Sequence, residues 1–356
     1  MTDPGFFIPK QAPNGASPVG NSYTAAFANC PKLWFNTYLR PVPTRKPDGT
    51  PAEAQGIAPL GTALPLVEGD IFHTGLEAWY LSGCRDGADT GEYNTEVGLE
   101  AAYSKWSARK RDYEPEQDDD ESIANMRTIL LNYFERYGPA SPSPDFPDIM
   151  VAHDGDGQPL VEREFKVDLP YGDYYYTMRA DLVVYHRGYL KMGEHKTSVA
   201  SFLGQRLKST HFDSQMTGQG WVMREMFPDT PLNGIWCNVI VKFRSPRSKY
   251  DIAERETTTR TNEQLDKFPL GVVDILQQID DRVGYFQQAL GKGYDVEQAA
   301  QLYFPDHGTR SGRCFAYNRY CDFFDICKNA GREDQLLNNY RPRTTVELDE
   351  MKKYTG

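Results

Sequence analysis

The sequence predicts an α/β or α+β fold: a mixed central sheet flanked by helices, with helical parts before and after it. Three observations lead there. Short runs rich in Val, Tyr, Phe and Leu crowd between residues 149 and 197, separated by turn residues. Stretches with helical spacing of apolar residues precede them. A long helical stretch, 262–291, follows.

Residues 1–20 are rich in Pro, Gly and Asn and read as an extended arm. A helix capped by Asn21 or Ser22 comes next, with Ala25, Phe27, Leu33 and Phe35 among its apolar positions. Residues 41–65 are again rich in Pro and Gly, and we expect a loop. Helices are expected over 68–82, 93–110 and 119–137. A connector covers 138–148, where four prolines stand. IMVAH, PLVEREFKVDL, DYYYTMRADLVVYH and YLKMGEHKT read as strands, and Arg187-Gly188 reads as a tight hairpin turn between the last two. A helix over 211–227, the strand GIWCNVIVKF, a strand near 250–260 and the helix 262–291 complete the pattern. The expected organisation is the arm 1–20, one domain over 21–335 and a polar tail 336–356. Within the domain we expect a helical part 21–148, a core 149–260, and a C-terminal helix and cysteine segment 261–335.

The 356 residues suffice for a sizeable core. No apolar run approaches the roughly 18 residues that would suggest a membrane span. The first twenty residues lack the layout of a signal peptide. A soluble, cytoplasmic protein without a membrane partner is the expectation. The net charge of -11 argues against bulk attraction to nucleic acid but not against a local basic groove. Lys105, Arg109, Lys110 and Arg111 form one basic cluster; Lys242, Arg244, Arg247 and Lys249 form another. Taken singly, each reads as a solvated face, as does the acidic run from Glu114 to Glu121.

The residues richest in chemistry lie in MRADLVVYHRGYLKMGEHKTS. In a strand, residues two apart share a face, so Glu194 and Lys196 project together and His195 turns away. The Arg187-Gly188 hairpin brings Asp181 toward Glu194. Two carboxylates meeting at a sheet edge suit a hard cation such as Mg²⁺ or Mn²⁺, with the His195 backbone carbonyl as a further oxygen ligand. Such an ion binds a phosphate oxygen and activates water, and Lys196 beside it orients that water or stabilises developing charge. An E-x-K triplet alone is common and reads first as a surface ion pair.

Asp181 followed, after a hairpin, by Glu194-x-Lys196 resembles the PD-(D/E)xK nuclease superfamily. GDIFHTGLEAW, with His73, is similar to the G-x-x-x-H motif of its RecB-like exonuclease branch, which includes the RecB and AddB nuclease domains and CRISPR-associated exonucleases. TMRADLVV resembles that branch's "G-x-I-D" strand. Gln215, in FDSQMTGQGW, is similar to its Q-x-x-x-Y motif, although Gln219 stands at the fourth place and Trp221 lies further on. The resemblance implies a restriction-endonuclease-like sheet. It implies His73, Asp181 and Glu194 as metal ligands, Lys196 as the catalytic lysine, and Gln215 as a group positioning the lysine or the substrate.

The cysteines add a second constellation. A disulfide framework is not expected among the six in a chain this long without a secretion signal. Cys314, Cys321 and Cys327 crowd together, and Cys30 is the natural fourth ligand. Four thiolates suit zinc or an iron-sulfur cluster equally. The resemblance favours [4Fe-4S], because some RecB-like members hold such a cluster with one upstream and three downstream cysteines. That cluster would join the N- and C-terminal helical parts as a structural staple. Cys84 and Cys237 read as buried free thiols.

The implied function is a metal-dependent DNA exonuclease acting on single strands or ends in recombination, repair or replication. A non-catalytic nucleic-acid-binding assembly factor and an endonuclease of the same fold are the alternatives. No Walker motif is present, so a helicase or recombination protein would be a separate partner. Many stand-alone exonucleases of this kind are phage-encoded. Tyr174, Tyr175 and Tyr176 lead to Asp181 and read as sheet packing rather than as base-stacking groups.

Overall fold

A computed structural model describes residues 19–45, 51–61, 64–109, 119–138, 149–172, 174–242, 253–308, 312–316, 319–329 and 331–343. Lys110, Arg111, Arg244, Arg247 and Lys249 lie outside the described residues. So do the arm through residue 18, most of the acidic run and of the connector, and the tail beyond 343. In chain order the elements begin with α1 (Asn21–Asn29), α2 (Pro31–Trp34), β1 (Pro41–Arg45), β2 (Pro51–Gln55), β3 (Ile57–Pro59), α3 (Leu64–Ser82), β4 (Cys84–Arg85) and β5 (Ala88–Asp89). They continue with α4 (Thr95–Arg109), α5 (Asp119–Tyr137), β6 (Ile149–Val151), β7 (Val161–Asp168), β8 (Tyr175–His186) and β9 (Tyr189–Val199). Then come α6 (Leu203–Ser209), α7 (Ser214–Met226), β10 (Leu232–Lys242), β11 (Ala253–Thr258), α8 (Asn262–Gly291) and α9 (Val296–Tyr303).

Two expectations need correction. Residues 41–65 hold three strands rather than a loop. Pro41, Pro43 and Pro51 are tolerated because β1 and β2 form a two-stranded ribbon, in which each strand keeps an open edge that asks for no N–H. Helix α6 was also not anticipated. Its seven residues bury no side chain, so the sequence carries no apolar stripe to announce it.

The chain divides into two compact units. The first comprises Met1–Leu60, Lys166–Thr177 and Lys267–Gly356. Its core is aromatic: Trp34 and Phe35 both stack on Phe304, and Phe286 meets Phe35 edge-on. Buried Arg40 donates to Asn36 Oδ1 at 2.8 Å and pairs with Glu297, so its charge is compensated on both sides. Strand β3 pairs antiparallel with Tyr340–Pro342, which joins early and late segments of the chain. Tyr174 and Tyr176 are buried here, in line with sheet packing, and Tyr174 donates its hydroxyl to Asp280.

The second unit, Gly61–Phe165 and Met178–Asp266, is built on a six-stranded sheet. The order is β11-β10-β9-β8-β6, with β7 also paired to β8. Strands β9 and β10 run parallel, while β8/β9, β6/β8 and β10/β11 are antiparallel, so the sheet is mixed as expected. The hairpin between β8 and β9 turns on Arg187 and Gly188 at φ of 52° and 80°. Two successive positive φ values are the signature of a type I′ turn, whose twist matches the strands it joins. The parallel step from β9 to β10 needs a crossover, which α6 and α7 supply. Among the described residues no helix is long and apolar enough to cross a membrane.

Helix α3 is held closely against α4 through two glycines. A Cβ on Gly75 would sit 3.2 Å from Gly98 O, and one on Gly98 would sit 2.9 Å from Gly75 O and 2.8 Å from Phe134. This crossing fixes α3, and with it His73, relative to the sheet. Gly98→Ala must push α4 away or displace Phe134. We predict a loss of about 1–3 kcal/mol in unfolding free energy, read as a lower denaturant midpoint; an unchanged midpoint would show the crossing to be loose.

Candidate metal centre

Asp181 and Glu194 meet because the β8/β9 ladder stops just before them. The last paired residues are Leu182 and Gly193. Beyond this point the Asp181 carboxylate takes the place of a ladder acceptor: its Oδ2 accepts the His195 backbone N–H at 2.6 Å. A buried backbone donor must be satisfied, so the side chain is fixed where the strands part.

The expected face division holds. Glu194 and Lys196 point to one face of β9, toward α7. The Lys196 ammonium pairs with Glu194 Oε1 and donates to Gln215 Oε1 at 3.0 Å. The Gln215 amide donates to the same carboxylate oxygen at 2.7 Å, while Gln219 donates to Glu194 Oε2. Both glutamines of the QMTGQ segment are therefore engaged. Gln215 links lysine and carboxylate, and Gln219 closes the carboxylate's other side. The helix that presents them is capped by Asp213, whose side chain accepts the Gln215 N–H.

The opposite face carries a row across three strands. His195 on β9 is level with Asn238 on β10, which is level with Arg255 on β11. Arg255 Nε donates to Asn238 Oδ1 at 2.6 Å, which turns the Asn238 amide toward His195 Nδ1, 3.3 Å away. The guanidinium lies 4.1 Å from the Tyr137 ring and 4.3 Å from the Trp236 ring. His195 is packed among Tyr80, Tyr133 and His73. Burial, with the charges of His73 and Arg255, holds its imidazole well below the usual histidine range, so it is neutral.

His73 enters from α3. Its Nδ1 lies 3.0 Å from Glu162 Oε1 and 3.7 Å from Asp181 Oδ1. His73, Glu162 and Asp181 form the one group among the described residues whose potential metal-ligand atoms all lie within 4.8 Å of one another. Glu162 was missed by the sequence reading. Strand alternation treats Glu162 and Glu164 alike, and only the backbone distinguishes them. Glu162 has a φ of 48°, a left-handed conformation uncommon for a residue with a side chain and one that functional sites tend to hold. Arg179 Nε secures its other oxygen at 2.8 Å.

The donor set of one imidazole nitrogen and carboxylate oxygens fits a divalent cation such as Mn²⁺ or Mg²⁺. Protonation states reflect the concentration of carboxyls. Burial, reinforced by the Glu194 charge, raises Asp181 to about 8. Burial alone would lower His73, but Asp181 and Glu162 outweigh it and raise it to about 9. Burial also pushes Glu194 upward, yet the Lys196 ammonium beside it and the Gln219 amide prevail and hold it below the usual range. Lys196 mirrors this: burial lowers it, and Glu194 and Asp181 more than restore it.

The expected cysteine cluster is not seen among the described residues. Cys30, Cys314, Cys321 and Cys327 all fall in the first unit and are free thiols. The Sγ atoms of Cys30 and Cys314 approach Asp306 Oδ1 at 3.8 and 3.9 Å. No three of these thiols lie within 4.8 Å of one another. A single zinc, with Zn–S near 2.3 Å, would draw four sulfurs to within about 4 Å of one another, so the arrangement is not that of a compact zinc tetrad. Cys237 is fully buried in β10, as expected, and Cys84 is partly buried.

No family model matches the chain, and no curated protein matches it at a significant level.

One titration tests the centre. The surrounding groups favour protons on His73 and on Asp181, which are raised to about 9 and about 8. A ligating imidazole and carboxylate must give them up. Mn²⁺ binding is therefore predicted to release protons, and its affinity to rise as pH climbs through about 8 and 9. Glu162→Ala should weaken binding by roughly tenfold or more. Calorimetry in buffers of different ionisation enthalpy measures both; a buffer-independent heat, or wild-type affinity in Glu162→Ala, would remove the site from this cluster.

Proposed function

We propose that the chain is a metal-dependent DNA exonuclease of the RecB-like branch of the PD-(D/E)xK superfamily. In this reading it hydrolyses phosphodiester bonds at single strands or ends during recombination, repair or replication. One observation carries it: a His73–Glu162–Asp181 ligand group stands beside a buried carboxylate–lysine pair where β8 and β9 part. An ion-binding site alone needs no lysine, and a structural ion pair needs no neighbouring ligand group. Phosphodiester hydrolysis uses both.

His73, Glu162, Asp181 and Glu194, with the His195 backbone carbonyl, would hold Mg²⁺ or Mn²⁺. The bound ion supplies Lewis acidity toward a phosphate oxygen and a lowered pKa for water. Lys196 does the rest of the electrostatic work. It stays cationic, and Gln215 keeps its ammonium at a fixed position beside the carboxylates. A preorganised charge of this kind stabilises negative charge as it develops without reorganising. Gln215 is a positioning residue that sets the lysine against Glu194.

Cys30, Cys314, Cys321 and Cys327 are the residues we assign to a [4Fe-4S] cluster. The assignment rests on the four thiols, which share the first unit, and on the resemblance. Its role would be structural, within the first unit. Protein purified anaerobically should contain iron and show the charge-transfer absorption of a cluster. Zinc with no iron would exchange the metal, and the absence of both would end the assignment. A separate helicase or recombination protein is the expected partner in a cell.

The nuclease reading is tested with end-labelled linear and circular DNA in Mg²⁺ or Mn²⁺. Degradation of linear DNA alone is expected, with circles left intact. Lys196→Ala should lower the rate roughly 10²-fold or more, as loss of one preorganised stabilising group does. Cutting of circles would make the protein an endonuclease. Equal rates for wild type and Lys196→Ala would overturn the catalytic assignment.

A further inference from the structure

Phe212 is the most exposed large apolar side chain among the described residues, at 92%; the next, Leu60 and Leu270, stand at 61%. A phenyl ring open to water leaves its apolar area unburied, which costs free energy. Single exposed apolar residues are ordinary. What sets Phe212 apart is the hold on its backbone.

Its backbone is tied down on both sides. Thr210 is buried, and its hydroxyl donates to Leu207 O at 2.7 Å. Arg260 reaches under the turn, donating to Thr210 O at 2.9 Å and Asp213 O at 3.2 Å. The same guanidinium donates to Thr217 Oγ1 and Thr258 Oγ1, at 2.8 and 2.6 Å. Asp213 then caps α7. One arginine thus ties the two backbone carbonyls that flank Phe212 to α7 and β11, beneath a side chain left open to water.

The position of the turn supplies a reason. Phe212 precedes Gln215 by three residues, which places the two Cα atoms at most about 11 Å apart. Gln215 is bonded to both Lys196 and Glu194. Cationic side chains lie on the same segment: Arg206 is within electrostatic reach of Lys196, and Lys208 is exposed. An aromatic platform flanked by cations beside a phosphodiester-cleaving centre is the combination that binds an unpaired strand. The cations meet the backbone, and the ring stacks on a base whatever its identity.

We propose that Phe212 is a stacking platform for an unpaired base of a single-stranded substrate, next to the scissile phosphate. The proposal rests on the nuclease reading for its substrate but not for its test. The full chain is mixed with a fluorescent oligothymidylate, or with an abasic strand of the same length, in Ca²⁺, which takes oxygen ligands as Mg²⁺ does. Anisotropy gives the affinities. Phe212→Ala should bind the thymidylate strand roughly 5- to 100-fold more weakly, and Phe212→Trp should keep wild-type affinity. On the abasic strand, wild type and Phe212→Ala should bind alike, since no base is there to stack.

Unchanged binding of the thymidylate strand by Phe212→Ala would overturn the proposal and leave the ring as a contact for a protein partner. An equal loss on both strands would overturn it too, by showing a disturbed turn. A wild type that binds neither strand sinks both readings. Should wild type bind but cleave no DNA with Mg²⁺ or Mn²⁺, the nuclease reading falls alone, and the two-strand comparison still decides Phe212.

Discussion

The Glu194 carboxylate lies 1% exposed in the middle of a sheet, and much of the second unit is arranged around making that tolerable. A buried carboxylate without donors is among the most costly groups a protein can hold. Here Lys196, Gln215 and Gln219 surround it. Lys196 comes free of topology, two residues along the same strand. The two amides do not. They require α7 to lie across this face with its first two turns over β9, and so require the crossover between β9 and β10 to run on that side. The Asp213 cap, which bonds to Gln215 itself, fixes where α7 begins. The position of Lys196 thus follows from the satisfaction of one carboxylate.

The other face solves a different problem. Where β8 and β9 part, the ladder would leave backbone groups of His195 without partners. Asp181 takes the N–H. The imidazole is then held from behind by Asn238, and Asn238 by Arg255, each on the next strand and at the same level. The Tyr137 and Trp236 rings face the Arg255 charge. Neither Asn238 nor Arg255 belongs to the proposed catalytic set. They hold the His195 imidazole, while Asp181 holds its backbone N–H. The unit has charge chemistry on one face and orientation on the other, with the strand between them carrying both.

Asp181, Glu194 and Lys196 were legible in the sequence because strand periodicity and a two-residue hairpin are local, and local rules survive folding. The helix over 262–291 was legible for the same reason, and its bounds agree with the structure. His73 and Gln215 were found by their order along the chain, and the geometry brings both to the predicted pair. Glu162, Asn238, Arg255 and Arg260 were not found. Their importance depends on register and on one left-handed backbone position, which composition does not encode. Strands β1 to β3 were hidden by their prolines, since proline argues against strands in sheets more strongly than in two-stranded ribbons. The cysteines were legible as a set, but the carboxylate of Asp306 among them was not.

The acidity of the chain takes on a specific meaning at this centre. Glu162, Asp181 and Glu194 crowd together, opposed by His73, Lys196 and Arg179. Three carboxylates this close do not all ionise without compensation. His73 and Asp181 are both raised toward their protonated forms, so the cluster favours protons. A divalent cation, if bound, would take the place of such protons with a charge that does not depend on pH. Lys196 stands outside this exchange, because its partner Glu194 is held low and it is itself raised. The cluster therefore has two kinds of positive charge: protons, which an ion could displace, and the charge on the lysine, which would remain. In the proposed reading a phosphate would meet a bound ion and the lysine together, although the chain as a whole carries a net charge of -11.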